Sequence, residues 1–274
     1  MQITMKKLTS PLEFQQMEQL EAAVWSEKSV IPLHMTLTLA KFGGLFLGAF
    51  DEEEMIGFLY SFPGHLEGEP LLCSHMLGFL PAYRKQGLGV KMKWFQREEA
   101  LRLGYQKISW TYDPLETVNA TVNIAKLGGM VRRYVPNCYG ELHDEMNKGL
   151  PTDRFIVEWL LDSERVRQYS STLNKQPAAS RSFPKVLSWK QDEQGLPVPL
   201  EPVWETDEPF IGISVPAYFQ QIKRTDMNTA KEWRQVTRQL FPHYFSNGYT
   251  VVDVIRQADE LTVTYLLQKG VDWG

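Results

Sequence analysis

The sequence has only two cysteines among its 274 residues, Cys73 and Cys138, and they form no metal-ligand spacing. A disulfide framework is therefore excluded, and this scarcity is typical of a reducing compartment, so we expect a cytoplasmic protein. No long apolar run is present either, because the longest, near 43–50, is far too short to span a bilayer. The first ten residues are polar, so we expect no signal peptide.

Positive charge is not in excess. The 29 lysines and arginines face 33 aspartates and glutamates, and the net charge of -4 argues against a general nucleic-acid-binding protein. The hydrophobic fraction of 43% and the charged fraction of 23% are those of a soluble globular protein. The length favours two domains. We therefore expect no nucleic acid, no membrane and no metal.

Two nucleotide-binding motifs are also missing. The sequence contains neither Gly-x-x-x-x-Gly-Lys-Ser/Thr nor Gly-x-Gly-x-x-Gly followed by an acidic residue, so a P-loop and a dinucleotide fold are not predicted. What is present is an apolar run that ends at Pro81, followed by a basic turn with two glycines and an amphipathic stretch over 90–103. This pattern predicts a strand, a turn and a helix.

The turn has the composition of an anion site. Gly87 and Gly89 allow the backbone to approach a ligand closely, and Arg84 and Lys85 add positive charge. The first amides of the following helix have no partner inside the helix, which favours a phosphate. The alternative is an ordinary strand-to-helix turn with glycines at tight positions.

The turn resembles the Arg/Gln-x-x-Gly-x-Gly/Ala signature of the GNAT acyltransferase superfamily. The preceding strand is similar to that superfamily's Leu-x-Val-x-Pro-x-x-Arg pattern, with Phe79 in place of the usual valine. The resemblance implies an acyl-coenzyme A-dependent N-acyltransferase whose turn holds the pyrophosphate and whose strand lines the pantetheine. The coenzyme-binding residues that it implies here are Leu77, Gly78, Phe79, Arg84, Lys85, Gln86, Gly87, Leu88 and Gly89.

Residues 1–162 also supply the order of elements found in this superfamily. Strands are predicted at 2–8, 45–50, 55–62, 71–80, 107–112, 130–135 and 155–160, and helices at 11–24, 34–42, 87–103 and 117–127. Pro11 is expected at a helix start, Gly104 after a helix end, and Thr117 as a helix cap. The fold class is therefore α/β (α+β), a GNAT-like mixed and mostly antiparallel sheet flanked by helices.

A second signature follows the strand at 107–112. Asn119, Asn123 and Lys126 are similar to the superfamily's Asn-rich segment, which implies further coenzyme contacts. Ile124 or Ala125 stands where relatives carry the tyrosine that serves as general acid, and no tyrosine lies between 119 and 129. The two asparagines could instead serve only to solvate a helix.

Acyl transfer from a thioester to an amine needs a base, a polarised carbonyl and a protonated leaving thiol. His75 is the candidate base, and by strand alternation we expect it on the same face as Leu77 and Phe79. A backbone amide at Gly78 or Phe79 could polarise the carbonyl. Further candidates for acid or base are Tyr134, Tyr139, Glu116 and His143, and Cys138 is a less favoured nucleophile. A structural role for His75 is the alternative.

The long polar and aromatic stretch 134–154 resembles that of a GNAT subgroup with a second C-terminal region. Arg154 is the candidate substrate residue, because its guanidinium suits a carboxylate, and a local Asp153–Arg154 or loop-anchoring pair is the alternative. Arg132 and Arg133 are similar candidates, with a solvated strand edge as their alternative.

Three regions are predicted: a catalytic domain at 1–162, a linker and irregular segment at 163–208, and a smaller β-α-β-β region at 209–274. The last could cap the first domain or form a homodimer. The expected function is transfer of an acetyl or succinyl group from acyl-coenzyme A to the amine of a small molecule such as an amino acid. The alternatives are protein lysine acetylation and a non-catalytic acyl-coenzyme A-binding regulatory module.

Overall fold

The computed structural model describes residues 3–25, 30–141, 147–171, 182–256 and 260–273. The chain divides into two compact units. Unit 1 comprises Met1–Trp110 and Trp159–Asp162, and unit 2 comprises Thr111–Glu158 and Ser163–Gly274. The domain limits at 162 and 208 stay predictions. Within the described residues, no helix has both the length and the apolar character needed to cross a membrane.

Unit 1 is a sheet with three helices, as the sequence predicts. Its strands are β1 (Ile3–Lys7), β2 (Leu45–Asp51), β3 (Glu54–Leu66), β4 (Glu69–Phe79) and β5 (Lys107–Tyr112, which ends in unit 2). Its helices are α1 (Pro11–Val24), α2 (Leu33–Lys41) and α3 (Leu88–Arg102). The strands follow the order β1-β2-β3-β4-β5, and every pair is antiparallel except β4–β5.

Helix α1 begins where the sequence indicates and packs on the sheet. Ser10 and Glu13 form a capping box, and Pro11 occupies the first turn, where its missing N–H costs nothing. The apolar face of α1, with Phe14, Met17 and Leu20, joins a core cluster that includes Phe46, Phe58 and Tyr60 of β2 and β3. This packing fixes α1 over the face of β3 and places its last turns near Tyr60.

Unit 2 contains the remaining elements, some of them absent from the predictions. Its helices are α4 (Thr117–Ala120), α5 (Glu164–Ser171), α6 (Phe219–Thr225) and α7 (Met227–Ser246), and a π-helical segment spans Thr121–Lys126. Its strands are β6 (Met130–Val135), β7 (Arg154–Leu160, which ends in unit 1), β8 (Lys185–Leu187), β9 (Trp189–Gln191), β10 (Pro197–Pro199), β11 (Phe210–Pro216), β12 (Tyr249–Ile255) and β13 (Thr262–Lys269). Within the unit, the larger sheet has the order β7-β6-β12-β13-β11-β8, and β9 pairs with β10.

The C-terminal β-α-β-β order is observed, with α6 added before the long helix. Asp226 caps α7, since its side chain accepts from the Asn228 amide. Thr117 is not a cap. Glu116 holds the N-cap position, and the Thr117 hydroxyl instead donates to the Ala217 carbonyl at 2.9 Å. The stretch 163–208, predicted to be a linker and irregular segment, contains helix α5 and the short strands β8, β9 and β10. Pro197 and Pro199 lie in β10.

Candidate active site

The turn between β4 and α3 exposes backbone N–H groups at a helix start. Gly87 is the N-cap residue of α3, with a left-handed φ of 76°, and no side chain caps the helix. The first intrahelical bond of α3 joins the Lys91 amide to the Gly87 carbonyl at 3.2 Å. The amides of Leu88, Gly89 and Val90 therefore precede the helical hydrogen-bond ladder and form the positive end of the helix dipole.

The same turn has room for a ligand against its backbone. A Cβ at Gly87 would meet nothing within 4 Å, and one at Gly89 would meet only Leu77 Cδ2 at 3.7 Å. Two predicted coenzyme residues hold the turn in shape: Arg84 Nε donates to the Phe79 carbonyl at 2.9 Å, and Gln86 Nε2 donates to the Ala82 carbonyl at 3.0 Å. Lys85, with a φ of 63°, stays exposed.

A β-bulge in β4 changes where His75 points. Tyr60 pairs with Met76, whereas Ser61 pairs with Ser74, so His75 is the extra residue. The His75 ring lies 5.6 Å from the ring of Tyr60 and 5.8 Å from that of Phe62. The expectation that His75 shares a face with Leu77 and Phe79 is therefore wrong, because a bulge interrupts the alternation on which it depended.

Leu77 and Phe79 lie on the other face of β4. Leu77 lies beside Gly89 of α3, and the Phe79 ring occupies the place that a side chain at Gly57 would need. His75 keeps an exposed surface, and partial burial lowers its pKa below the usual 6.5. The imidazole is therefore neutral near pH 7, which is the state that a general base requires.

The end of β4 has backbone groups that β5 does not pair. The parallel ladder between the two strands joins Leu72 with Ile108 and Cys73 with Ser109, whereas β3 pairs with β4 as far as Phe79. Along this ladder, the backbone from Met76 onward is therefore paired with β3 and not with β5. This is the region where an amide at Gly78 or Phe79 was predicted to polarise a carbonyl.

Sequence reasoning missed a buried carboxylate in α1. Glu21 is fully buried, accepts from the Tyr60 hydroxyl at 3.1 Å and accepts from the Ile31 amide at 3.2 Å. Burial raises the pKa of Glu21, and it also raises the pKa of Tyr60. The signal was in the sequence, since Glu21 lies one turn after Met17 on the apolar face of the predicted helix.

The second signature lies in unit 2, where the helix changes type. Asn119 is exposed in α4, and Asn123 is buried in the π-helical segment, where its carbonyl accepts from the Gly129 amide at 3.0 Å. Lys126 is exposed at the end of that segment. Short π-helical segments are frequent at functional sites, because the wider turn redirects side chains and backbone groups.

The hydroxyl of Tyr134 is engaged by an aspartate. It donates to Asp153 Oδ2 at 2.5 Å, while the other oxygen accepts from the Asn137 amide and Arg238 forms an ion pair with the carboxylate. Burial is the main cause that raises the pKa of Tyr134. Asp153 is buried, which opposes its ionisation, but these hydrogen bonds hold its pKa below the usual value. Tyr134 therefore holds its proton firmly.

Arg154 lies among polar groups of unit 2. Its Nη1 is 3.7 Å from Asp113 Oδ2, its Nη2 donates to Asn147 Oδ1 at 2.8 Å, and its guanidinium lies 5.4 Å from the Tyr139 ring. Its Nη1 also donates to the backbone carbonyl of Asp153 at 2.9 Å, so its contact with Asp153 is to the backbone and not to the carboxylate. Together with the bond to Asn147, this contact fits the loop-anchoring alternative.

The other sequence candidates in this region have partners of their own. Arg132 and Arg133 are not free for a substrate carboxylate, since both contact Glu158, at 3.1 and 3.0 Å. Burial raises the pKa of Glu116 and of Cys138, and Gln220 donates to the Glu116 carboxylate. His143 lies outside the described residues.

A family model for the GNAT acetyltransferases matches residues 12–128. The match contains the exposed turn at Gly87, the bulged strand β4 and the segment with Asn123. The similarity to this family is therefore shown for residues 12–128, which are less than half of the chain.

Several solved structures of low sequence identity are similar to somewhat more than half of the chain. An aminoglycoside 6'-acetyltransferase type Ii is 18% identical, with a TM-score of 0.47, covering 60% of this chain and 99% of its own. A GNAT acetyltransferase of Streptococcus pneumoniae is 12% identical, with a TM-score of 0.47 and coverage of 57% and 98%. NAA60 of Arabidopsis thaliana, solved with a bisubstrate analogue, is 14% identical, with a TM-score of 0.46 and coverage of 58% and 97%. Among curated proteins, none matches the chain.

Proposed function

We propose that this protein is an acyl-coenzyme A-dependent N-acyltransferase that moves an acetyl or succinyl group onto the amine of a small molecule. The observation that carries the proposal is the uncapped start of α3, where Gly87 and Gly89 leave open backbone beside three unpaired amides. Its position inside the matched GNAT domain supports a coenzyme rather than a free phosphate.

The residues around the turn have the chemistry to hold the coenzyme. The amides of Leu88, Gly89 and Val90 would donate to the pyrophosphate, and Lys85 would add a positive charge. Arg84 would act mainly by fixing the turn, since its Nε already donates to the Phe79 carbonyl. Leu77, Gly78 and Phe79 of β4 would line the pantetheine, and the GNAT resemblance adds Asn119, Asn123 and Lys126. Acyl-coenzyme A supplies the activated thioester.

His75 is the proposed general base. Its lowered pKa keeps the imidazole neutral near pH 7, so it can accept the proton that the amine loses as nitrogen bonds to the acyl carbon. Backbone amides near the end of β4 would hold the carbonyl oxygen as charge develops on it. The carbon–sulfur bond then breaks, and the leaving sulfur takes up a proton.

Tyr134 remains the proposed donor of that proton. Its hydrogen points to Asp153, and its raised pKa makes the phenol a reluctant acid. The same observation favours the second candidate function, a regulatory module that binds acyl-coenzyme A without turnover. The two functions differ in one measurable respect, which is whether an amine causes release of the thiol.

Thiol release from acetyl- and succinyl-coenzyme A is the direct test. The acceptor panel contains L- and D-amino acids, polyamines and a lysine-containing peptide, and calorimetry measures coenzyme binding separately. Amine-dependent release by an amino acid supports the proposal, and release only with the peptide would favour lysine acetylation. Tight coenzyme binding without turnover of any amine would favour the regulatory module. Absence of coenzyme binding would overturn both.

A further inference from the structure

Unit 2 contains a groove between helix α7 and the proline-rich segment 199–204, with a volume of about 290 Å³. One wall is a face of α7, because its lining residues follow one another at helical spacing. They are Glu232, Gln235, Val236 and Gln239. The other wall includes Leu200, Glu201 and Trp204. Residues 232–239 extend over about 10 Å of helix axis, which is the length of about three residues of an extended chain.

Hydrogen bonds fix the two walls of this groove to each other. At one end, the Trp233 indole of α7 donates to the Pro197 carbonyl at 2.8 Å. At the other end, the Tyr244 hydroxyl donates to the Val203 carbonyl at 2.8 Å, and His243 Nε2 lies 2.6 Å from the Trp204 carbonyl oxygen. The groove is therefore formed before a ligand binds, which lowers the entropic cost of binding.

The proline-rich wall exposes apolar surface. Trp204 is 36% exposed and Leu200 is 40% exposed. The orientation of the Trp204 ring is fixed, because the His243 ring lies at 90° to it with 5.4 Å between the ring centres. An exposed indole of fixed orientation favours a planar cation, since a guanidinium is attracted to an aromatic face and stacks on it.

The charged residues that line the groove are both acidic. Glu201 lies on the proline-rich wall and Glu232 on the helix wall. Neither carboxylate forms an ion pair or a hydrogen bond with another residue that the structure describes. The charge of the groove is therefore complementary to that of a cation.

The backbone of the proline-rich wall offers more acceptors than donors. Pro199 and Pro202 have no N–H group. The amides of Leu200 and Val203 donate to the carbonyls of Ser188 and Val186, at 3.0 and 2.8 Å, so they are already satisfied. This wall therefore favours a ligand that is rich in hydrogen-bond donors.

We propose that the groove binds an extended peptide segment that carries arginine, with the guanidinium against Trp204 and paired with Glu201 or Glu232. Arginine fits because its side chain has several N–H donors, a permanent charge and no acceptor. A peptide fits because the groove is open along its length and also has apolar surface at Leu200 and Val236, which neighbouring side chains of the peptide would cover.

The proposal does not depend on acyl transfer, so binding is measured on the full chain without coenzyme. Calorimetry at constant ionic strength uses the peptide acetyl-Ala-Arg-Ala-Arg-Ala-amide, which has no free amine to act as an acceptor. The control peptide has citrulline in place of both arginines, because citrulline keeps the size and shape of arginine but has no charge. Spermidine is the third probe and represents a small polyamine.

We expect saturable one-to-one binding of the arginine peptide, and binding of the citrulline peptide that is weaker by about tenfold or more. Glu201→Gln combined with Glu232→Gln removes both carboxylates and should weaken binding of the arginine peptide by about fivefold or more. Glu193→Gln combined with Glu208→Gln is the matched control, since it changes the net charge equally at exposed positions outside the groove. Its affinity should stay within about twofold of the wild type.

A second variant tests the helix wall. Gln235 is exposed on α7, so Gln235→Lys keeps a good helix former and should fold, but it places a positive charge in the groove. It should also weaken binding of the arginine peptide, while circular dichroism stays that of the wild type. Wild-type affinity in both folded groove variants would overturn the proposal. So would equal binding of the citrulline peptide, or no binding of the arginine peptide by the wild-type protein. Tighter binding of spermidine than of the peptide would overturn it in favour of a polyamine site.

Discussion

Two buried ionisable groups of unit 1 differ from two of unit 2 in their partners and in the direction in which their pKa values shift. In unit 1, Glu21 is hydrogen-bonded to a tyrosine hydroxyl and an amide. Lys93 donates to Ser74, and its ammonium nitrogen lies 3.6 Å from the centre of the Trp110 ring. Burial raises the pKa of Glu21 and lowers that of Lys93, so both shift toward their neutral forms.

In unit 2, by contrast, two buried charged groups, Asp153 and Arg234, are paired with groups of opposite charge. Asp153 accepts from Arg238, Tyr134 and the Asn137 amide, and these bonds lower its pKa although burial opposes the charge. Arg234 is paired with Asp113. The comparison teaches that the environment decides the charge of a buried group more than its residue type does.

Removal of the Asp153 charge should have the largest effect. We expect Asp153→Asn to lower the free energy of unfolding by about 3–5 kcal/mol, because Arg238 and Tyr134 lose a buried partner. The lowered pKa means that the contribution of Asp153 is present above pH 3.8 and is lost as pH falls through the lower folded value. Urea unfolding of the wild type and of Asp153→Asn at several pH values measures the difference in the free energy of unfolding and its dependence on pH.

Asp207→Asn is the matched control for that experiment, since Asp207 is fully exposed in its pair with Lys269, and we expect no measurable change. Equal stability of Asp153→Asn and the wild type at neutral pH would contradict the idea that unit 2 depends on paired charges.

Replacement of the proposed base should affect the rate but not coenzyme affinity. We expect His75→Gln to lower kcat about 100-fold to 1000-fold, with the Kd of acyl-coenzyme A unchanged. Because His75 must be neutral and its pKa is lowered, the wild-type kcat/KM should fall only below pH 6.5, and this acidic limb should vanish in the variant. His65→Gln, at an exposed position of β3, is the control. An unchanged rate and pH profile would assign His75 a structural role.

A charge placed against the turn should weaken coenzyme binding. We expect Gly89→Glu to raise the Kd of acyl-coenzyme A about 100-fold, or about 2.7 kcal/mol, because its carboxylate would face the pyrophosphate. Gly89 is preferable to Gly87, whose φ of 76° would strain any other residue. Gly89→Ala has ordinary van der Waals room and should bind within about threefold of the wild type. Similar affinities for both variants would exclude the turn as the phosphate site.

The parts of the site carried by continuous segments were predictable, and those made by contacts between distant segments were not. The strand, glycine turn and helix at 77–103 have a local pattern, and the structure contains all three elements. The face of His75 depended on a bulge, which is a matter of pairing register with β3 and leaves no clear mark in the sequence. Arg234 and Asp113 are 121 positions apart, so no spacing rule could join them.

The helices of unit 2 show a similar limit. The predicted helix at 117–127 ends where expected, yet it changes to π-helical turns after Ala120. At its start, Thr117 donates to the carbonyl of Ala217, 100 positions away in the sequence. Glu21 was predictable only in part. Its position on the apolar face of a helix follows from the sequence, but its hydrogen-bond partners Tyr60 and Ile31 do not.

Neutralisation of Glu21 should have the smallest effect and should depend on pH. Because burial raises its folded pKa above 4.5, the stability linked to its proton is full below pH 4.5 and is lost as pH rises through the folded value. Glu21→Gln keeps one acceptor and carries no charge, so at about pH 4 it should cost less than about 1 kcal/mol. As pH rises, the difference in the free energy of unfolding should shift in favour of the variant, whereas the exposed control Glu53→Gln should follow the wild type. Parallel curves for Glu21→Gln and the wild type across this range would mean that Glu21 is ionised in the folded protein, and the contrast between the two units would then fail.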